Sequence, residues 1–425
     1  MLYCPWRNAG MANDTNISRE AKKKQLRRQV ISSEELKKNK DYQRRRKQKR
    51  LQNWMVILGA IVLVAVVVLG VYIYETNRTY KTFGVEWEQD IVGAESSKYV
   101  RLEDGVVQLG GDGATCYGDN GETVWSVPYD MRQPSAAVSD GYLVIYDKRG
   151  QSMIICDSTG ERGRADTTYP ITSADISSQG VTIAVTEDKE SSYISYFDSS
   201  GNKLEIDIKS PLASQGYPAS VSISPNGQQL MVSYTSITGG QATSEVVFYD
   251  FEMGKDVPNR VVGAFQNYEE SDTIIPFVQY LSDQCGVAVG DNMLSFFSTK
   301  NRINIEQKNI EVSERIQKVF YDDSRLGIVV EKEKEDGTTE WVLRLYSESG
   351  TLELEESIPD NMEEIFLRGE RIVMYEASSC LIQTDSGKTR YENTFEDGIS
   401  KMLPGGSDRE YIIVGGDKIK KIRLK

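Results

Sequence analysis

Residues 196–206 read YFDSSGNKLEI. An apolar aromatic pair ends one strand, Asp198 to Gly201 form a tight turn, and KLEI opens the next strand. Asp supplies the side-chain acceptor and Gly the positive φ that such a turn needs. The same phrase returns as CYGDNGETVW from Cys116, CDSTGE from Cys156, FYDFEMGK from Phe248, FFSTKNRINI from Phe296, LYSESGTLEL from Leu345 and QTDSGKTRY from Gln383. With Tyr117, Cys156, Phe197, Tyr249, Phe297, Tyr346 and Thr384 as anchors, the intervals are 39, 41, 52, 48, 49 and 38 residues. A period of about 40 to 50 residues built from short strands is that of a four-stranded propeller blade, with this turn between its third and fourth strands.

The residues around the anchors agree. Runs such as YLVIY (142–146), VTIAVT (181–186), EVVFY (245–249), WVLRLY (341–346), RIVMY (371–375) and YIIV (411–414) are β-branched, aromatic and short, and helical periodicity is nearly absent. VSISPNGQQLMVSY (221–234) reads as strand, turn and strand inside one blade. Seven anchors give seven blades. Residues 399–425 add three strands (ISKML, YIIVGG, KIKKIRL) and lack a fourth. FGVEWEQDI (83–91) resembles ETVWSVPYD (122–130), with Trp87 matching Trp125, so the N-terminal strand is expected to complete the last blade. That closure gives eight blades and a ring with no exposed edges. Seven blades is the alternative; a tandem of β-sandwiches would not produce so regular an interval.

These residues resemble quinoprotein-type and WD-type propeller repeats, over roughly residues 80–425. The WD dipeptide and a regular tryptophan ladder are missing, with only Trp87, Trp125 and Trp341 in this region. The whole layout looks like the single-span, extracytoplasmic propeller proteins of Gram-positive bacteria grouped in families of unknown function.

The span in that layout is residues 54–74, WMVILGAIVLVAVVVLGVYIY, 21 residues without a charge. As a helix rising about 1.5 Å per residue it matches a hydrocarbon core of about 30 Å. Trp54 at one end and Tyr72 and Tyr74 at the other fit the two membrane interfaces. The apolar run is too long, and too far from the start, for a cleaved signal peptide; it reads as a signal anchor. Arg44, Arg45, Arg46, Lys47, Lys49 and Arg50 precede it directly, which by the positive-inside rule puts the N-terminus in the cytoplasm of a single-pass plasma-membrane protein. The expected organisation is a basic cytoplasmic tail (1–53), a transmembrane helix (54–74), a linker (75–82) and an extracytoplasmic propeller (83–425). Translation from Met11 is compatible with it. In the tail, Ser32 followed by Glu35 fits a capping box, so one or two exposed helices, in an otherwise polar segment, are expected. The tail would draw on anionic lipid headgroups, and a nucleic-acid role is not expected.

Charge follows the same division. The formal net charge is −13, but residues 1–53 hold 16 Lys+Arg against 5 Asp+Glu and the remainder 34 against 58. No histidine occurs anywhere, which removes the commonest general base and transition-metal ligand and every Ser-His or Cys-His nucleophile. Cys4, Cys116, Cys156, Cys285 and Cys380 are scattered, without a C-x-x-C or vicinal pair, and read as small core residues. No P-loop, Rossmann or G-x-S-x-G phrase is present. Asp112, Asp119 and Glu122, in GGDGATCYGDNGE (110–122), form the densest Gly/Asp cluster; two hairpin turns account for it better than a Ca²⁺ site. No cofactor, metal or catalytic residue is therefore assigned. The expected function is a non-enzymatic binding or scaffold module for envelope proteins, cell-surface proteins or wall polymer. Two rivals stand beside it: a carboxylate-based glycosidase or lyase, which would need two convergent carboxylates in a central funnel, and a sensor signalling through the single span.

Overall fold

The computed structural model describes residues 14–93, 96–252, 258–266 and 273–425, so Cys4 and Met11 lie outside the described residues. The chain forms two compact units, Met1–Arg78 and Thr79–Lys425.

The described part of the first unit is one helix, Asp14–Asn77, of 64 residues, about 96 Å of continuous rod. The break expected at Ser32 does not occur. Its hydroxyl donates to the Gln29 carbonyl at 3.1 Å, one turn back, and so acts as a mid-helix side chain instead of an N-cap. The Lys, Arg, Glu, Gln and Leu residues on either side are good helix formers and carry the helix through. Arg44, Arg45, Arg46, Lys47, Lys49 and Arg50 are exposed along it, as are Trp54 and Tyr74, and Tyr72 lies in the same helix. Lys37–Val71 is long and apolar enough to cross a membrane.

In the second unit the described residues form eight four-stranded antiparallel sheets, each built from neighbouring strands in sequence except the last. The fold is an eight-bladed β-propeller, which excludes the seven-bladed and sandwich alternatives. Numbered in chain order, blade 1 runs from its inner strand Lys98–Leu102 to its outer strand Thr123–Pro128, and blade 7 from Glu364–Arg368 to Thr389–Thr394. All seven anchors end, or fall one residue short of the end of, the third strand of their blade. In the turn that opened the reading, Asp198 Oδ1 accepts from the Ser200 and Asn202 backbone N–H groups, both at 2.9 Å, and Gly201 has φ +81°.

The apolar runs are explained by two-sided burial. Eight buried clusters occur among the described residues, one between each pair of adjacent blades. In YLVIY, Leu143 and Ile145 face blade 1 while Val144 and Tyr146 face blade 3. Successive side chains of a strand point to opposite faces, and with both faces covered the alternation of polar and apolar disappears. Cys116, Cys156, Cys285 and Cys380 are free thiols inside these clusters. Burial pushes Cys116 up to about 11 and the other three to about 12.

Blade 8 is closed by the N-terminal strand. Its order is Phe83–Asp90, Lys418–Leu424, Glu410–Gly415, Lys401–Pro404, with Phe83 opposite Leu424 and Asp90 opposite Lys418. Trp87 packs at the seam between blades 8 and 1, and its Nε1 donates to the Asp119 carbonyl at 2.6 Å. Gly121, at φ +81°, lies beneath the indole; a Cβ there would meet Cδ2 at 2.7 Å, so only glycine fits. Ion pairs knit the strands of blade 8 together, and one of them, Lys421 with Asp119 of blade 1, crosses the seam. Lys421, 3% exposed, reaches Asp119 at 2.6 Å, Glu410 at 3.0 Å and Glu86 at 3.3 Å, and Arg423 pairs with both Glu86 and Glu410. Closure does not abolish strand edges as expected from the sequence: every blade keeps an inner strand facing the axis and an outer strand at the rim. A radial array covers faces, and its short edges need other partners.

Removing one partner of a buried pair leaves the other charge uncompensated. Lys421→Met is expected to lower unfolding free energy by about 2–3 kcal/mol, moderated because Arg423 still holds Glu410. Lys418→Met, which breaks an exposed pair with Glu88, is expected to leave the midpoint in place. Urea unfolding followed by tryptophan fluorescence measures both.

Candidate functional site: the axial channel

The eight inner strands surround the axis, and their composition decides what space remains there. On the side of blades 2 to 4 the sequences are PSAAVS (Pro134–Ser139), ITSADI (Ile171–Ile176) and YPASVSI (Tyr217–Ile223), rich in Ser and Ala. Small side chains leave the middle open. Opposite them, Gln279 of blade 5 and Tyr321 of blade 6 supply bulk. A cavity of about 520 Å³ lies between these walls. It shares Tyr99, Val100 and Ala136 with one of about 630 Å³ where the inner strands begin, and Arg101 and Val138 with one of about 530 Å³ where they end. The three make one channel.

The inner edges of these strands carry backbone N–H groups with no sheet partner, and side chains from the next blade satisfy several of them. Ser220 Oγ accepts from Val278 N at 3.1 Å and Ser222 Oγ from Tyr280 N at 3.0 Å, joining blades 4 and 5. Asp175 joins blades 3 and 4, its two oxygens accepting from Ile176 N and Ile223 N, each at 2.9 Å. Cations act similarly through carbonyls: Lys98 Nζ donates to Pro134 O at 2.9 Å, and Arg368 Nη2 to Gly405 O at 3.0 Å.

Asp175 is the one carboxylate among the described residues lining the middle of the channel. It is surrounded by protein yet keeps partial contact with solvent along the axis. Burial raises its carboxyl to about 6, against the opposing effect of its hydrogen bonds from Ile223 N, Ile176 N and Ser222. Burial and the Asp175 charge together push the Tyr321 phenol up to about 12. The charges concentrate at the ends. Lys98 and Lys401, with Ser97, Ser135 and Ser400, line the mouth where inner strands begin. Arg101, Arg368, Glu103, Asp104 and Asp140 line the other.

None of these channel residues was singled out from the sequence. Asp175 alone left a signal, as an acid between Ala174 and Ile176 in a strand that follows an outer-to-inner crossover. Asp112, Asp119 and Glu122 do not come together: Asp112 lies in the turn before Gly113–Tyr117 and the other two in the turn after it, about 20 Å along the strand. Asp119 is held by Lys421, and Glu122 accepts from Asn120 Nδ2 at 2.8 Å. Among the described residues no group of three His, Cys, Asp or Glu could hold a metal ion.

Fold and channel together define an eight-bladed propeller with a polar, charge-ended axial passage. The chain belongs to the family described as a family of unknown function (DUF5711), whose model matches residues 76–424. A comparison with curated proteins finds no match. Among solved structures the chain is similar to BamB from Moraxella catarrhalis, at 13% identity and TM-score 0.50 over 81% of this chain and 100% of that one. It is similar also to the Pan2 WD40 domain of Neurospora crassa (8%, 0.42, 69% and 89%) and to apo AztD from Citrobacter koseri (11%, 0.46, 71% and 86%). At such identity the BamB likeness speaks for the propeller fold alone.

A carboxyl raised in the folded state binds its proton more tightly there than in the unfolded chain, so its contribution to stability is complete below about pH 4 and is lost as pH rises through about 6. The stability of the parent relative to Asp175→Asn is therefore expected to fall between pH 4 and 7, by up to about 100-fold in the unfolding constant. Urea midpoints of the two proteins across that range measure the difference.

Proposed function

We propose that this is a single-span protein of the Gram-positive surface type, with its N-terminus in the cytoplasm and its propeller outside, and that the propeller is a non-enzymatic binding module for envelope proteins. The observation that carries the reading is the layout of charge along the channel. Both mouths carry cations and hydrogen-bonding groups suited to recognition, while the described lining of the middle holds one carboxylate, Asp175. A glycosidase works with two carboxyls flanking the bond, about 5–9.5 Å apart. Asp175 has no such companion in that lining, and both its oxygens already accept backbone N–H groups between blades 3 and 4.

The orientation is supported by the Lys/Arg cluster at residues 44–50, directly before the apolar run. An extracytoplasmic domain of net charge about −24 is well kept in solution near a surface, and such a charge bears on association more than on fold.

The test is proximity crosslinking in intact cells from a probe placed on the propeller rim, with mass spectrometry of the captured species. A reproducible set of envelope proteins is the expected result, and externally added protease should cut the propeller while sparing the basic tail. Background capture from a folded and protease-accessible propeller would overturn the binding-module reading; protection of the propeller would overturn the orientation.

A further inference from the structure

At the end of the channel where the inner strands finish, two arginines share the cavity of about 530 Å³. Arg101 comes from the inner strand of blade 1 and Arg368 from that of blade 7, with blade 8 between them. Neither guanidinium is used up. Arg101 Nε donates to the Glu103 carbonyl at 2.5 Å, but its Nη2 stands 3.6 Å from Asp104, beyond hydrogen-bonding distance. Arg368 spends Nη2 on the Gly405 carbonyl, while its Nε is shielded from solvent, has no hydrogen-bond partner and lies 3.9 Å from Asp408. A guanidinium carries five N–H donors, so most of this capacity is unspent. The two cations also oppose each other: burial and the Arg368 charge hold Arg101 below the usual guanidinium range. Like charges kept together in a partly buried site, with donors free, are relieved by an anion bridging them, and the planar fork of Arg suits a carboxylate.

The same lining restricts which anion fits. Glu103, Asp104 and Asp140 surround the pair, so three negative charges face two positive ones. A dianionic phosphate would meet that repulsion in full. A single carboxylate accompanied by N–H donors would satisfy both sets at once, the arginines taking the carboxylate and the acids taking amide or ammonium groups. We propose that Arg101 and Arg368 form a carboxylate-binding site for a peptide, whose neighbouring amide or basic groups are held by Glu103, Asp104 and Asp140. The assignment rests on the binding-module reading above and gives it a chemistry of recognition.

The test uses the full chain in detergent micelles and isothermal titration with three probes: acetyl-Lys-Ala-Ala ending in a free carboxylate, the same peptide ending in an amide, and inorganic phosphate. The carboxylate peptide is expected to bind about tenfold or more tightly than the amide, consistent with a charge-assisted bidentate contact, and phosphate no more tightly than the amide. Arg101→Gln and Arg368→Gln are each expected to lose about tenfold or more for the carboxylate peptide, and Arg101→Lys, which keeps the charge without the fork, to lose part of it. Melting temperature and near-ultraviolet circular dichroism identify any variant that fails to fold, and the other arginine then carries the test. Equal binding of the two peptides, tighter binding of phosphate, no binding of either peptide, or indifference to both Gln variants would overturn the site. Envelope proteins still captured by an Arg101→Gln, Arg368→Gln double variant, together with any of those results, would remove this site and leave the binding-module reading standing.

Discussion

A propeller blade cannot bury both of its apolar faces alone, and this constraint governs the whole β-propeller domain. Each of the eight clusters is shared between two blades, so a blade is stable only when flanked on both sides. Blades 2 to 7 have their neighbours supplied by consecutive sequence. The seam between blades 8 and 1 does not, and it depends on Phe83–Asp90 lying against Lys418–Leu424. The concentration of charge around Lys421 at that seam follows. A β-ladder fixes register through backbone bonds alone, whereas Glu86, Asp119 and Glu410 around one buried ammonium penalise any slipped register.

The blade repeat was legible because its determinants are local. Asp198 and Gly201 meet within one turn, and the pairing of a side-chain acceptor with a positive-φ glycine recurs in the corresponding turns of blades 1, 2, 6 and 7, at Gly121, Gly160, Gly350 and Gly387. Closure was legible for a different reason: three strands at the C-terminus lack a fourth, and Trp87 lies in a segment resembling the outer strand that holds Trp125. The channel was not legible. Arg101 and Arg368 lie in short strand-like runs, RL and LR beside turns, and nothing in either run says that the two are brought to one cavity across five intervening blades. Ser135, Ser173 and Ser220 read as ordinary strand residues until the inner position of their strands is known. Ser32 shows the opposite failure, where a local motif was read correctly as a pattern but overridden by helix-forming neighbours.

Asp175 illustrates how structural and recognition roles overlap in such an axis. Its oxygens answer unpaired N–H groups on two blades, which is sufficient reason for an acid in that position, and the same placement leaves a negative charge facing the passage above a raised Tyr321 phenol. The ends of the channel divide the work differently. Lys98 is committed to the Pro134 carbonyl, whereas Arg101 and Arg368 retain free donors, so the two mouths are chemically unlike and a ligand entering from one side would not be read in the same way from the other.

The pairing of the first propeller strand with the last has a consequence in time. Glu86 and Arg423, which meet inside blade 8 where the first strand pairs with the last, are 337 residues apart. Synthesis proceeds at about 5–20 residues per second, so the strand that will close the ring waits on the order of 20–60 s for its partner to exist. Bringing ends so distant together also carries the loop-closure entropy that slows non-local topologies. Throughout that interval the face of blade 1 formed by Val106 and Tyr117, which the finished ring covers with Ile412, Val414 and Ile419, is without its cover. Another growing chain offers the same closing strand to a finished C-terminus as the chain's own start does, and exchange between copies is the characteristic error of such a geometry. The helix that is long and apolar enough to cross a membrane comes out of the ribosome before any blade, and a helix held in a bilayer would space chains apart during this wait, a service that a free propeller would lack.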